Sequence, residues 1–464
     1  MSDHRDRPGV RRFWAAYTPG SEAPWDLRRV VHLHRRAGFT ATWQEIQRDL
    51  KDGPRASIDR LLKGQARASE AAKEFQQTSE SLADSAVGSD DPGRLKAWWV
   101  YRMLFSPDPL TERLTLLWHN HFATSNLKVN DLAAMQRQND IFRRHARAPF
   151  GDLLKAVVHD PAMLTWLDAS VNRKGHPNEN LARELMELFT LGIGHYTESD
   201  VKEAARALTG WTLVEGTLRE APARHDEGEK TVLGRKGQWR GDDLVQMLLE
   251  HPATARRLAW RICEMLMGEG AVSAAGIDAL ADGLRERRLD VGWAVEAVLR
   301  SQAFFAPANL GTRVLGPVEY VVGAARALEV CHPPPSSLVL GDWAARLGED
   351  LFYPPNVGGW PGGRSWISPH TMIGRANYAA AVVDGGMTRA AEPFDALALP
   401  KRYGRGQDLE AVVAFYSELL LGASPNAAWR EGLRTSLGPR ATATPRTLRR
   451  AVALILASAE GQLA

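Results

Sequence analysis

Only two cysteines, Cys263 and Cys331, occur among 464 residues. They stand far apart and in no ligand-like spacing, which excludes a disulfide framework and a cysteine zinc site. They leave the redox compartment open. No apolar run reaches the roughly 18 residues that a membrane-spanning helix needs. An excess of one charge is missing as well. The 58 Lys and Arg against 55 Asp and Glu leave a formal net charge of +3, so composition does not point to nucleic acid as a partner. The opening stretch MSDHRDRPGVRRFWAAYTPGS is charged, with none of the apolar continuation of a secretory signal. Arg11-Arg12 makes a poor twin-arginine signal, because FWAAY behind it is too short. As written, the chain shows no export signal and reads as cytoplasmic. HExxH, P-loop, GxSxG and Rossmann glycine signatures are all absent, and nothing supplies an activated serine or cysteine nucleophile.

What is present is ordinary globular material: 44% hydrophobic and 24% charged residues, on a chain long enough to bury a substantial core. Periodic apolar runs end in Gly, Pro or Asn, and alternating runs are scarce. The expected fold is all-α: a large irregular multi-helix domain with one short β-hairpin-like excursion and a long Pro/Gly/Trp loop. Residues 1–24 read as a loose extension and 25–464 as a single large helical domain, with a possible subdivision near 215–240. The excursion is EGTLREAPARHDEGEKTVLGRKGQW, Glu215 to Trp239. Two helices follow it, split at His251-Pro252. The loop is YPPNVGGWPGGRSW, Tyr353 to Trp366, and long loops inside domains tend to be functional or disordered. RRVVHLHRR, Arg28 to Arg36, is the most basic local run. Its simplest reading is a helix with Val30, Val31 and Leu33 inward and solvated arginines, with an anion site as the alternative.

Three constellations could carry chemistry. LLWHNHFATS, Leu116 to Ser125, closes a helix expected to start near Thr111. At about 100° per residue, Leu110, Leu114, Leu117, Trp118 and His121 share the core-facing side, and His119 lies roughly 160° from His121. The two can hold one ion only if the helix unwinds near His119; otherwise His121 is a buried neutral imidazole bonded to a carbonyl. Of 13 histidines, seven fall between His119 and His225. The second constellation runs from His176 to Trp211. There Glu184 and Glu187, at i and i+3, sit at the edge of a leucine stripe and can converge, with Arg183 spaced to pair Glu179 and Glu187. Carboxylates at a core margin need pairing, protonation or a metal. Thr197 is an expected N-cap, and His195 sits in the connection before it. The third, HDEGEKTVLG, joins His225, Asp226 and Lys230 in one turn.

The matching stretches HLHRRAGF, LLWHNHFATS, NENLARELMELFTLGIGHYTESDVKEAARALTGW, HDEGEKTVLG, HPATARRLAWRI, LGPVEYVVGAARAL, LFYPPNVGGWPGGRSWIS and LILASAEGQL resemble, in the same order, the bacterial family catalogued as domain of unknown function 1800. The resemblance runs from about Trp25 to the C-terminus and names a family without naming a reaction. It implies that members are often exported, making the periplasm or exterior an alternative compartment. It also implies a partner resembling alkaline phosphatases and sulfatases. From the residues, the leading expectation is a metal-dependent hydrolase acting on a sugar-containing or polymeric substrate. His119, His121, Glu184, His195 and His225 would ligate zinc, manganese or iron. Glu187 or Asp226 would be the base, and Lys230 or Arg183 an anion clamp. Asn356, Trp360, Arg364 and Trp366 would line the substrate site, the rings as a stacking wall. The alternative is a non-catalytic partner or scaffold whose motifs are buried hydrogen-bond networks. A haem protein is a lesser alternative.

Overall fold

A computed structural model describes residues 13–64, 69–330, 336–386, 393–424, 426–438 and 441–464. The fold is all-α as expected: among the described residues it has 22 helices, 63% helix, and two small antiparallel sheets. Each sheet is one hairpin. Trp211–Val214 pairs with Thr217–Glu220, and Lys230–Val232 with Arg235–Gly237. Both turn through two residues of positive φ, Glu215-Gly216 and Leu233-Gly234, the backbone that two-residue hairpin loops need. The excursion is thus two hairpins, and the first begins four residues ahead of the expected segment. The helices split at His251-Pro252 as the proline dictates: Gly241–Glu250, then Pro252–Leu266.

The buried side chains form two large clusters. The first gathers residues 142–211 and 232–305. The second gathers 30–46, 83–104 and 315–464. The helix Pro109–His121 belongs to both, as does Leu27–Ala37: Leu110, Leu114, Leu117 and Trp118 enter the first cluster and Leu116 the second. Its start is explained by the Asp108 side chain, which accepts from the Thr111 amide at 3.1 Å, and by Pro109 in the first turn. Buried on nearly all sides, this central helix answers its charges internally. Glu112, 1% exposed, accepts from Arg102 and Arg143 at 2.9 Å each, tying in the helices Pro92–Phe105 and Leu132–Arg144. Arg113 reaches Glu319 of Pro317–Ala327 at 2.6 Å. Breaking a buried pair of this kind by removing one partner costs about 3–5 kcal/mol.

The extension expected to be loose is anchored at points along its described part, though most of 16–24 is exposed. Trp14 donates to the Gly276 carbonyl (3.0 Å), and the Tyr17 amide donates to Arg300 (2.8 Å). Residues 1–12 lie outside the described residues, as does Cys331. The basic run also differs from its simplest reading. In the helix Leu27–Ala37, Arg29 and Arg36 are buried at 4% and 0% exposure and donate to main-chain carbonyls, because this helix too is enclosed on most sides. Among the described residues no helix is long and apolar enough to cross a membrane.

Candidate functional site

The end of the central helix is where three distant segments meet. The helix does not unwind at His119; it runs through His121 and is capped at Phe122. His119 and His121 therefore point to different places, as the wheel requires. Both are buried, because the two sides of the helix face two different cores. His119 lies against Trp99, Phe352 and Trp360 at centroid distances of 5.2–5.5 Å, and its Nε2 accepts from the Phe352 amide at 3.1 Å. His121 lies against Phe122, Phe150 and Phe189. Its Nε2 meets the Phe189 carbonyl at 3.1 Å, and Arg261 Nε donates to its Nδ1 at 3.2 Å. A carbonyl only accepts, so Nε2 carries the proton and both ring nitrogens are answered. Burial holds both imidazoles neutral. It brings His119 down to about 3 and His121 well below its ordinary value, the latter helped by Arg261 and Arg257.

Asn120, between them, was not singled out in the sequence, yet it makes the closest contact of the three with the long loop. Its Oδ1 accepts from the Trp360 amide at 2.7 Å and its Nδ2 donates to the Trp360 carbonyl at 3.3 Å. A Cβ on Gly359 would come within 2.1 Å of Asn120 Oδ1, and Gly359 also has φ +79°. The Gly-Gly-Trp sequence is therefore what this approach demands. The triplet thus pins residues 352–360 on one side and the segment around Phe189 on the other.

That second segment is a π-helical turn, Leu185–Thr190, continuing from Asn180–Glu184. Such turns are rare and frequent at functional sites. Burial, then the Glu187 charge, raises the Glu184 carboxyl above its ordinary value. Glu187 accepts from the Tyr196 hydroxyl at 2.6 Å. The expected Arg183–Glu187 pair does not form, because Arg183 turns to Glu179 (2.9 Å) and Glu198 (2.7 and 2.9 Å). That engagement also removes it as an anion clamp. Arg257 instead braces the turn, donating to the Leu188 carbonyl at 2.6 Å. His195 is exposed, with its ring 6.2 Å from that of His251. Thr197 caps Glu198–Ala207 in a capping box with Asp200, as expected.

The third constellation is a separate knot fastening the hairpins. Arg206 donates to both oxygens of Asp226 at 2.8 and 3.2 Å and to Glu203 at 2.8 Å. The Arg206 guanidinium holds Asp226 down at about 2, too weak a base to accept a proton near neutral pH. Lys230, 0% exposed, spends its ammonium on the carbonyls of Asp226 and Gly228, so it reaches no anion. His225 Nδ1 bonds to the Thr209 carbonyl at 2.8 Å. Nor do the loop rings form an open wall: Trp360 and Trp366 are 4% and 9% exposed. Asn356 and Arg364 are exposed, Asn356 accepting from the Gly358 amide at 2.8 Å.

The structure therefore does not bring together His119, His121, Glu184, His195 and His225. Among the described residues no three His, Cys, Asp or Glu side chains are grouped to hold a metal ion. The donor set expected for zinc, manganese or iron is distributed over separate contacts and does not fit one ion.

A family model matches residues 32–463. The chain belongs to the family described as Protein of unknown function (DUF1800). No curated protein and no solved structure matches it. In this DUF1800 member, the residues that the sequence does not mark are mostly arginines and their acids: Arg261, and Glu112 with Arg102 and Arg143, while Arg206, whose plainest reading is a solvated side chain, is tied to Asp226. Helical spacing links Arg257 with Arg261 and Arg206 with Glu203. Glu112 joins residues ten or more positions away, which periodicity does not register.

Proposed function

We propose that this protein works by binding rather than by catalysis, as a non-catalytic partner or scaffold whose family motifs hold the fold together. The observation that carries this reading is His121. Both its ring nitrogens are answered inside the protein, it is 3% exposed, and it is neutral. A ligand or base must present a free lone pair to its substrate or metal, and this ring presents none. Asp226, Lys230 and Arg183 are engaged in the same way. Surface apolar residues for a protein contact exist: Leu127, Val171 and Ile193 are 84%, 59% and 80% exposed. A phosphatase- or sulfatase-like neighbour is the partner to test first. Co-purification of the tagged chain with such a protein, lost on Leu127→Asp with Val171→Asp, would support the reading. Retention of the complex in that variant would move the contact elsewhere.

One observation favours hydrolysis instead. Glu184 ends the helix that leads into the π turn carrying Glu187, its carboxyl is raised by burial and by the Glu187 charge, and the Tyr196 hydroxyl donates to Glu187. A raised carboxyl beside a second carboxylate is a usual starting point for acid–base chemistry. A hydrolytic activity on a glycoside or polymer that disappears in both Glu184→Gln and Glu187→Gln, with the fold intact, would establish this second reading.

A further inference from the structure

The helix Leu27–Ala37 carries Arg28, Val31, His32 and Arg35 at i, i+3, i+4 and i+7, one face of a helix. All four border a cavity of about 210 Å³, whose other walls include Ser424, Trp429 and Glu460. The helix Ala427–Leu437 begins beside it, with its partial positive charge at that end. Among the described residues neither arginine is spent. Arg28 gives one contact to the Leu310 carbonyl (3.3 Å) and Arg35 one to Gly461 (3.0 Å), out of five donors each. His32 is 3% exposed. Its Nε2 meets the Phe304 carbonyl at 3.0 Å, so Nδ1 is an acceptor, and Nδ1 has no partner among the described residues. That nitrogen is enclosed and presents no surface to the cavity, so the ring forms part of the wall.

We propose that this cavity binds a small carboxylic acid that also bears an amino or hydroxyl group, its carboxylate between Arg28 and Arg35 and its donor toward Glu460. The planar guanidinium fork suits a carboxylate. The Glu460 carboxylate, one oxygen of which accepts from Trp429 Nε1 at 3.3 Å, selects against an anion with no donor. The volume suits a molecule of amino-acid size, below the range of most cofactor sites. This site lies on a different helix from the histidine triplet and stands independently of the partner role.

Isothermal titration of the full chain tests it, with L-alanine, L-glutamate, L-lactate, L-malate, propionate and inorganic phosphate as probes. The expected result is a Kd below about 1 mM for at least one amino or hydroxy acid, with propionate about tenfold weaker or worse for want of the donor. Arg28→Gln, an exposed position, should keep its far-UV spectrum and lose about tenfold in affinity. Arg35→Gln answers the same question if Arg28→Gln does not fold. No binding by any of the acids, undiminished binding in both folded variants, or phosphate binding as tightly as the best acid would overturn the proposal.

Discussion

Two buried histidines on two enclosed helices make the instructive contrast. His121, on Pro109–His121, has a carbonyl for one nitrogen and a guanidinium for the other. His32, on Leu27–Ala37, has a carbonyl for one nitrogen and nothing for the other, and it borders a cavity. Both rings are neutral by burial. The one within the conspicuous motif has both nitrogens answered, and the one within a plain basic run has one left over. A motif that dominates a sequence can do so because it joins many segments, and the unfilled hydrogen-bonding capacity can lie elsewhere.

The largest effect should come from His121→Ala. It empties a packed site, strands Arg261 and orphans the Phe189 carbonyl. We expect a loss of about 3–5 kcal/mol in denaturant unfolding. His32→Phe keeps the ring volume and gives up one bond, so about 1–2 kcal/mol is expected; equal losses at the two positions would erase the contrast. Asn120→Ala should cost about 2 kcal/mol and, more diagnostically, admit protease between 352 and 366, while the hairpins at 211–237 stay protected.

Acid should act on the closed site next. The unfolded histidines bind protons near pH 6.5, whereas folded His119 does so only near 3 and His121 stays well below its ordinary value. The unfolded state therefore holds more protons in that window. Stability is complete above about pH 6.5 and falls as pH drops, by about 1.4 kcal/mol per pH unit for each ring. Glu349, raised to about 7 by burial and then by Glu319, works in the opposite sense between its ordinary range and 7. The measurement thus belongs in Glu349→Gln, by urea unfolding at pH 7.5, 6.0 and 5.0. A flat profile there would mean that the rings are not held neutral. The smallest effect is expected at Glu184→Gln, within about 0.5 kcal/mol, since that half-buried carboxyl has no bonded partner to lose.

Much of the architecture was legible locally. Thr197 with Asp200 and the Pro252 break are encoded within four residues and could be read directly, whereas the excursion reads as one hairpin and is two. The wheel separated His119 from His121 correctly. It put His119 off the core, and the structure overturns this, with His119 1% exposed: a helix shared by two cores has no solvent side, and amphipathic reasoning assumes one. The proposed metal set failed for a related reason. Histidine and glutamate near each other in sequence signal that polar groups are needed, and here a carbonyl, an amide or an arginine meets that need. Asn120, Arg206 and Glu112 were missed because their partners are distant along the chain.

The most direct test is the metal content and metal response of the wild-type chain after metal-replete expression. If the His119–His121 triplet is a structural pin, fewer than about 0.1 zinc, manganese or iron ions per chain should be found, with no thermal shift when these ions are added. About one ion per chain, lost together with a thermal shift in His121→Ala, would contradict it.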